Sequence, residues 1–200
     1  DRTIQNIKDQ NSISPDRPFF MYLAFGACHW PHHVPASYLN KYKGRYADGW
    51  DVIRQARYRR QKELEIISET TELAPRNPGV PDWKSLKKDQ QRFAARLMEA
   101  YAGFLEHTDA QIGRVLNFLK DAALFDNTLV VVISDNGATA EGGETGSVNH
   151  RRHVFIERET MADRVAGMDT IGSEFASNCY PEGWAQVSNT PLKWYKQNTF

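Results

Sequence analysis

From Pro18 the chain runs Phe19-Phe20-Met21-Tyr22-Leu23-Ala24-Phe25, apolar at odd and even positions alike. Strict alternation would mark a strand with one wet face, whereas apolar residues on both parities predict a strand covered on both faces of a sheet. Gly26 ends the run, and a histidine-rich loop follows: His29-Trp30-Pro31-His32-His33-Val34-Pro35. A second run of the same kind, Thr128-Leu129-Val130-Val131-Val132-Ile133, comes after the turn signal Asp126-Asn127. Between the two runs, Phe93, Leu97, Tyr101, Phe104, Thr108, Ile112, Val115 and Leu119 recur at spacings of three and four, widened by Met98, Leu105 and Leu116. That period predicts a long helix with one face on a core. A shorter helix is expected from Trp50 to about Ile67. Asp48 is placed to accept from its freed amides, and Asp51 sits where a reciprocal acid would. Pro75, Pro78 and Pro81 keep Glu72 to Trp83 out of any helix. Strand, helices, strand in this order predicts a crossover unit in a largely parallel sheet, an α/β fold with helices flanking the sheet.

Polar stretches complete the outline. The residues Arg54, Arg57, Arg59, Arg60 and Lys62 read as the solvated side of the shorter helix, with some arginines in internal ion pairs. After Ser134 the period is lost. Residues 138–180 are expected to form a loop-rich insertion, long enough to be functional, with His150-Arg151-Arg152-His153 a candidate contact for an anionic ligand or plain surface charge. Lys and Arg together number 25, as do Asp and Glu, so the chain carries no formal net charge. A protein working by adhesion to nucleic acid or acidic lipid needs a basic excess, and none is present. The longest apolar stretch, Phe19 to Cys28, is shorter than the ~20 residues a membrane-spanning helix requires. With only Cys28 and Cys179, a disulfide framework is excluded.

Both predicted strands deliver chemistry at their carboxyl ends, where open α/β sheets bind ligands. His29 follows the first; Asp135-Asn136-Gly137 follows the second. A histidine next to a strand end can exchange a proton near neutral pH, while His32 and His33 read as a solvated loop. Asp135 and Asn136 offer two oxygen donors side by side, suited to a hard cation such as Ca²⁺, or make an ordinary turn. Near the other end, Asn189-Thr190-Pro191-Leu192-Lys193-Trp194-Tyr195-Lys196 holds two lysines. In an extended segment they face opposite sides, so at most one enters a site.

The ordered set of these motifs resembles the sulfatases, the arylsulfatase branch of the alkaline phosphatase superfamily. It comprises the strand ending in His29-Trp30-Pro31, Gly49-Trp50-Asp51 with Arg54 and Arg57, and Asp109-Ala110-Gln111-Ile112-Gly113-Arg114. Asp126-Asn127-Thr128-Leu129-Val130 with Ser134-Asp135-Asn136-Gly137, then Asn189-Thr190-Pro191 with Tyr195-Lys196, complete it. The resemblance implies an alkaline phosphatase-like fold, with residues 1–200 an incomplete part of a catalytic domain. It implies hydrolysis of a sulfate ester, small-molecule or glycan, with Ca²⁺ held by Asp135 and Asn136 and the sulfate met by His29 and Lys196. Asn after the aspartate, where related phosphatases place a zinc-binding histidine, favours calcium and sulfate. The family's nucleophile is a formylglycine made from a Cys/Ser-x-Pro-x-Arg motif upstream of the histidine loop. Cys179-Tyr180-Pro181-Glu182-Gly183 imitates it but ends in glycine. The upstream aspartates that complete the family's calcium shell are not matched either, so by itself the piece is expected to bind calcium weakly and to be inactive. A phosphodiesterase or phosphonate hydrolase of the superfamily, and a non-catalytic binder of sulfated glycans, are the alternatives. The family's usual location implies a periplasmic, secreted or lysosomal protein.

Overall fold

A computed structural model describes residues 1–198. Its backbone is α4, Lys88–Asp121, whose 34 residues span about 51 Å at the usual rise. The expected apolar period is borne out unevenly along it. Phe93, Leu97, Met98 and Leu119 are buried, whereas Tyr101 and Phe104 are half-buried and Leu105 is exposed. The amino-terminal half is enclosed on nearly every side, so even Glu99 is buried, holding Arg96 at 3.0 Å and accepting from the Gly44 amide at 2.7 Å.

Around α4 lie α1 (Arg2–Ile13), α2 (Ala36–Leu39) and α3 (Gly49–Glu63), followed by α5 (His150–Phe155), α6 (Met161–Ala166) and α7 (Glu182–Ser188). The core gathers where α3, α4 and α7 meet. Trp50, Trp83 and Trp184 pack there with ring centroids 4.8 to 5.7 Å apart. Each buried indole finds an acceptor or a neighbour: Trp184 Nε1 donates to the Ala94 carbonyl at 2.8 Å and Trp50 Nε1 to that of Pro81 at 3.0 Å. Asp48 is the residue before α3 but makes no side-chain cap. Asp51 instead accepts from the Trp83 amide at 3.0 Å and pairs with Arg76, so it ties the proline-rich loop to the helix rather than closing a capping box. Gly49 at this start has φ +83, and a Cβ there would lie 2.1 Å from the Trp83 ring.

The expected sheet is not confirmed, and one reading of the histidine loop is overturned. Phe19–Phe25 and Thr128–Ile133 form no strand among the described residues; the only β pairings are the isolated bridges Ser147 to Cys179 and Asn149 to Ser177. Phe20 and Leu129 are 90% exposed and Ile133 75%. A strand covered on both faces needs partners on both edges and layers on both sides, and the described residues supply neither for these runs. The histidine loop is corrected. His32 is fully buried, stacked on Tyr180 and set edge-on to Tyr101, so it belongs to the core and not to a solvated loop. No helix of the described residues is long and apolar enough to cross a membrane.

Candidate active site

Two segments distant in sequence are stitched together by backbone and amide hydrogen bonds. The Lys196 amide donates to the Ala138 carbonyl at 3.0 Å, and the Ala138 amide donates to Asn189 Oδ1 at 2.8 Å. Asn189 Nδ2 in turn donates to the Trp194 carbonyl at 2.7 Å, closing the turn that carries the lysine. A Cβ on Gly137 would come within 3.0 Å of Asn189 Oδ1, so the glycine after Asp135-Asn136 permits this close approach. The loop following the second apolar run is thereby fastened to the lysine segment.

From the helix side, Arg54 completes the fastening. It is buried, against the expectation of a solvated or ion-paired arginine. Its guanidinium donates to the carbonyls of Ala74 at 2.7 Å, Leu192 at 3.2 Å and Pro191 at 3.5 Å. Gln61, two turns along α3, donates to the Thr190 carbonyl at 2.9 Å. A planar fork of fixed donors suits several carbonyls of one turn, which a lysine would not.

His29 and Lys196 meet at a residue the sequence did not single out. The Lys196 ammonium lies 2.7 Å from Glu141 Oε1, and His29 Nε2 lies 3.8 Å from Oε2. Trp30 Nε1 donates to the same Oε2 at 2.5 Å. Partial burial pushes the Glu141 carboxyl up, but the hydrogen bonds from Lys196 and Trp30 outweigh it, and the net position is below the usual carboxylate range. His29 itself is about half exposed, and its Nδ1 lies 2.8 Å from the Trp30 carbonyl. Since a carbonyl only accepts, that contact puts the proton on Nδ1 and leaves Nε2 as the atom facing the cluster. Lys193 turns elsewhere, its ammonium 4.9 Å above the Trp194 ring.

The loop-rich stretch 138–180 reaches the same place. His150 is buried at the start of α5, its ring 4.6 Å from that of Trp30 and its Nδ1 3.2 Å from Ser147 Oγ. Burial pushes its imidazolium down, so it stays neutral at lower pH than an open histidine. Arg152 and His153 of the same cluster face other partners: Arg152 pairs with Glu157, and His153 Nδ1 accepts from the Glu159 amide.

Asp135 and Asn136 are exposed. Asn136 commits its Nδ2 to the Gly137 carbonyl at 2.8 Å, which leaves Oδ1, the atom a hard cation would take, uncommitted among the described residues. The donor set thus fits an oxygen-seeking cation in kind. In number it falls short, since such ions take ~6–8 oxygens and no group of three or more acidic, His or Cys side chains is gathered among the described residues. Neither cysteine is a poised nucleophile. Cys179 is fully buried with its thiol pushed up to about 12, and burial also raises that of half-buried Cys28.

Comparison with known proteins agrees with the ordered motifs. The family model described as Sulfatase matches residues 1–199. An uncharacterized sulfatase of Schizosaccharomyces pombe is 35% identical over 194 residues, covering 96% of this chain and 33% of the relative. An arylsulfatase of Klebsiella aerogenes is 32% identical over 185 residues, 92% of this chain and 38% of the relative. An arylsulfatase of Clostridium perfringens is 27% identical over 128 residues, 62% of this chain and 23% of that protein. The chain spans about a third of the length of the first two relatives. With the family model covering nearly every residue, the chain belongs to the sulfatase family, whose members share an alkaline phosphatase-like α/β fold.

Proposed function

We infer that this chain is the part of a sulfuric ester hydrolase that binds the sulfate group and serves the leaving oxygen. The observation that carries the reading is the meeting of His29 and Lys196 at one carboxylate, in loops fastened to the Asp135-Asn136 turn. The reaction is R–O–SO₃⁻ plus water giving R–OH and hydrogen sulfate. The Lys196 ammonium, largely buried at 18% exposure, neutralises a non-bridging sulfate oxygen, and transition-state donors of this kind contribute roughly 2.7–4 kcal/mol. His29 acts as the imidazolium: Nδ1–H stays tied to the Trp30 carbonyl while Nε2–H gives its proton to the departing oxygen, leaving the neutral ring protonated on Nδ1. Asp135 and Asn136 would hold a Ca²⁺ ion, which supplies positive charge beside the sulfate oxygens.

The attacking group implied by the resemblance, a formylglycine, is supplied by neither Cys28 nor Cys179, for the reasons of burial and sequence given above. The exposed runs Phe19–Phe25 and Thr128–Ile133 are read as inner strands of a parallel sheet that a protein of the relatives' length completes. Arylsulfatase names among the relatives favour an aryl sulfate as substrate. The test is hydrolysis by the full-length protein carrying this segment, with para-nitrophenyl sulfate and bis-para-nitrophenyl phosphate assayed side by side. Faster turnover of the sulfate ester supports the reading. A preference for the phosphodiester assigns the site to phosphoryl transfer instead.

A further inference from the structure

Glu141 is absorbed by none of the roles above, yet it is the point where the cluster closes. Its two oxygens divide the work: Oε1 takes the Lys196 ammonium at 2.7 Å, while Oε2 takes the Trp30 indole at 2.5 Å and faces His29 Nε2 at 3.8 Å. The carboxylate is 26% exposed and the lysine 18%, so both charges are mostly withdrawn from water and hold each other more firmly than a surface pair would. The contacts join residues 30, 141 and 196, more than fifty positions apart from one to the next in sequence. A lysine side chain by itself samples many rotamers. With its backbone N–H hydrogen-bonded to the Ala138 carbonyl and its ammonium held by this carboxylate, Lys196 is left with few.

We propose that Glu141 is a positioning residue for sulfate-ester hydrolysis, fixing the Lys196 ammonium and the His29-Trp30 loop in one geometry so that a sulfate group meets them together. This rests on the sulfatase reading of the site. Glu141 acts through Lys196 and Trp30 and touches no reacting atom. Its loss leaves the ammonium free to swing and the indole donor unpaired, and misplacement on the scale of an ångström costs on the order of 100-fold in rate. Supporting groups of this kind typically account for roughly 10–100-fold in activity.

The experiment is a double-mutant cycle in the full-length protein, with kcat and KM for para-nitrophenyl sulfate measured for wild type, Glu141→Ala, Lys196→Ala and the double variant. Glu141→Ala is expected to lower kcat and kcat/KM together by roughly 10–100-fold. In the Lys196→Ala background the same change is expected to cost about threefold or less, because its target is gone. Glu141→Gln keeps one acceptor and recovers part of the loss. Additive losses, or a Glu141→Ala rate within about twofold of wild type, overturn the proposal. A second readout is independent of turnover: the Trp30 indole N–H proton resonance, assigned with Trp30→Phe. It moves upfield in Glu141→Ala and shifts in Lys196→Ala; an unmoved signal in Glu141→Ala overturns the proposal. If the wild-type protein hydrolyses no aryl sulfate, the assigned reaction fails, and the indole resonance still decides whether Glu141 holds the cluster.

Discussion

Acid is predicted to weaken this fold through one core histidine. His32 is fully buried, with Tyr180 stacked at 5.4 Å and Tyr101 edge-on at 5.3 Å. Its Nδ1 lies 3.4 Å from Asn178 Nδ2, and its Nε2 has no hydrogen-bond partner among the described residues. Burial chiefly, with His29 and His33 nearby as lesser causes, lowers its pKa to about 3. Unfolded, the same imidazole titrates near 6.5. Between these values the unfolded chain binds a proton that the folded chain refuses, so stability falls as pH falls, by up to about 1.4 kcal/mol per pH unit. From pH 7 to pH 5 the cost from His32 alone is about 2 kcal/mol, the loss beginning near 6.5 and ending near 3. His32→Phe keeps the ring stack and removes the titration. It leaves an Asn178 donor unpaired, at about 1–3 kcal/mol, so the variant is less stable at neutral pH but loses less on acidification. Urea unfolding of both proteins at pH 7 and 5 measures the difference, and the His32 ring resonance gives the midpoint directly. Parallel stability losses in the two proteins, or a His32 midpoint above about 5, refute the reasoning.

Other parts of the structure give sharper local tests. Arg54→Met strands carbonyls of Ala74, Pro191 and Leu192, and is expected to cost about 3 kcal/mol or more and to open residues 190–196 to limited proteolysis; unchanged cleavage would count against the fastening role. Gly49→Ala forces a side chain into a left-handed conformation and onto the Trp83 ring, so thermal unfolding should reveal a loss of at least about 2 kcal/mol. Iodoacetamide at mild alkaline pH should label Cys28 before Cys179, whose buried thiol is held up to about 12; mass spectrometry of the two peptides in native and urea-treated protein shows the order.

Local patterns were legible from sequence where one element decides its own form. The spacing from Phe93 to Leu119 announced α4, and the prolines at 75, 78 and 81 announced the loop before it. Helix α1 gave little signal, because among its residues only Ile7 is buried. The two apolar runs read as surfaces that demand cover, yet a strand exists only with its partners, and pairing is a property of more chain than these runs contain. His29 and Lys196 were found through motif order. Glu141 was not, since a lone glutamate in a polar loop carries no local mark and its partners lie 111 residues before and 55 after it. His32 and Arg54 were misread for a related reason: polarity predicts exposure until tertiary contacts provide a cavity with the right acceptors or rings.

The central claim is that His29 and Lys196 serve one sulfate group. It is tested most directly by sulfate release from para-nitrophenyl sulfate in the full-length protein, comparing wild type with His29→Ala and Lys196→Ala. The account predicts release by the wild type and a fall in kcat/KM of about 100-fold or more in each variant, the scale of one lost transition-state donor or proton donor. Wild-type rates in either variant, with the protein folded and the substrate turned over, would contradict it.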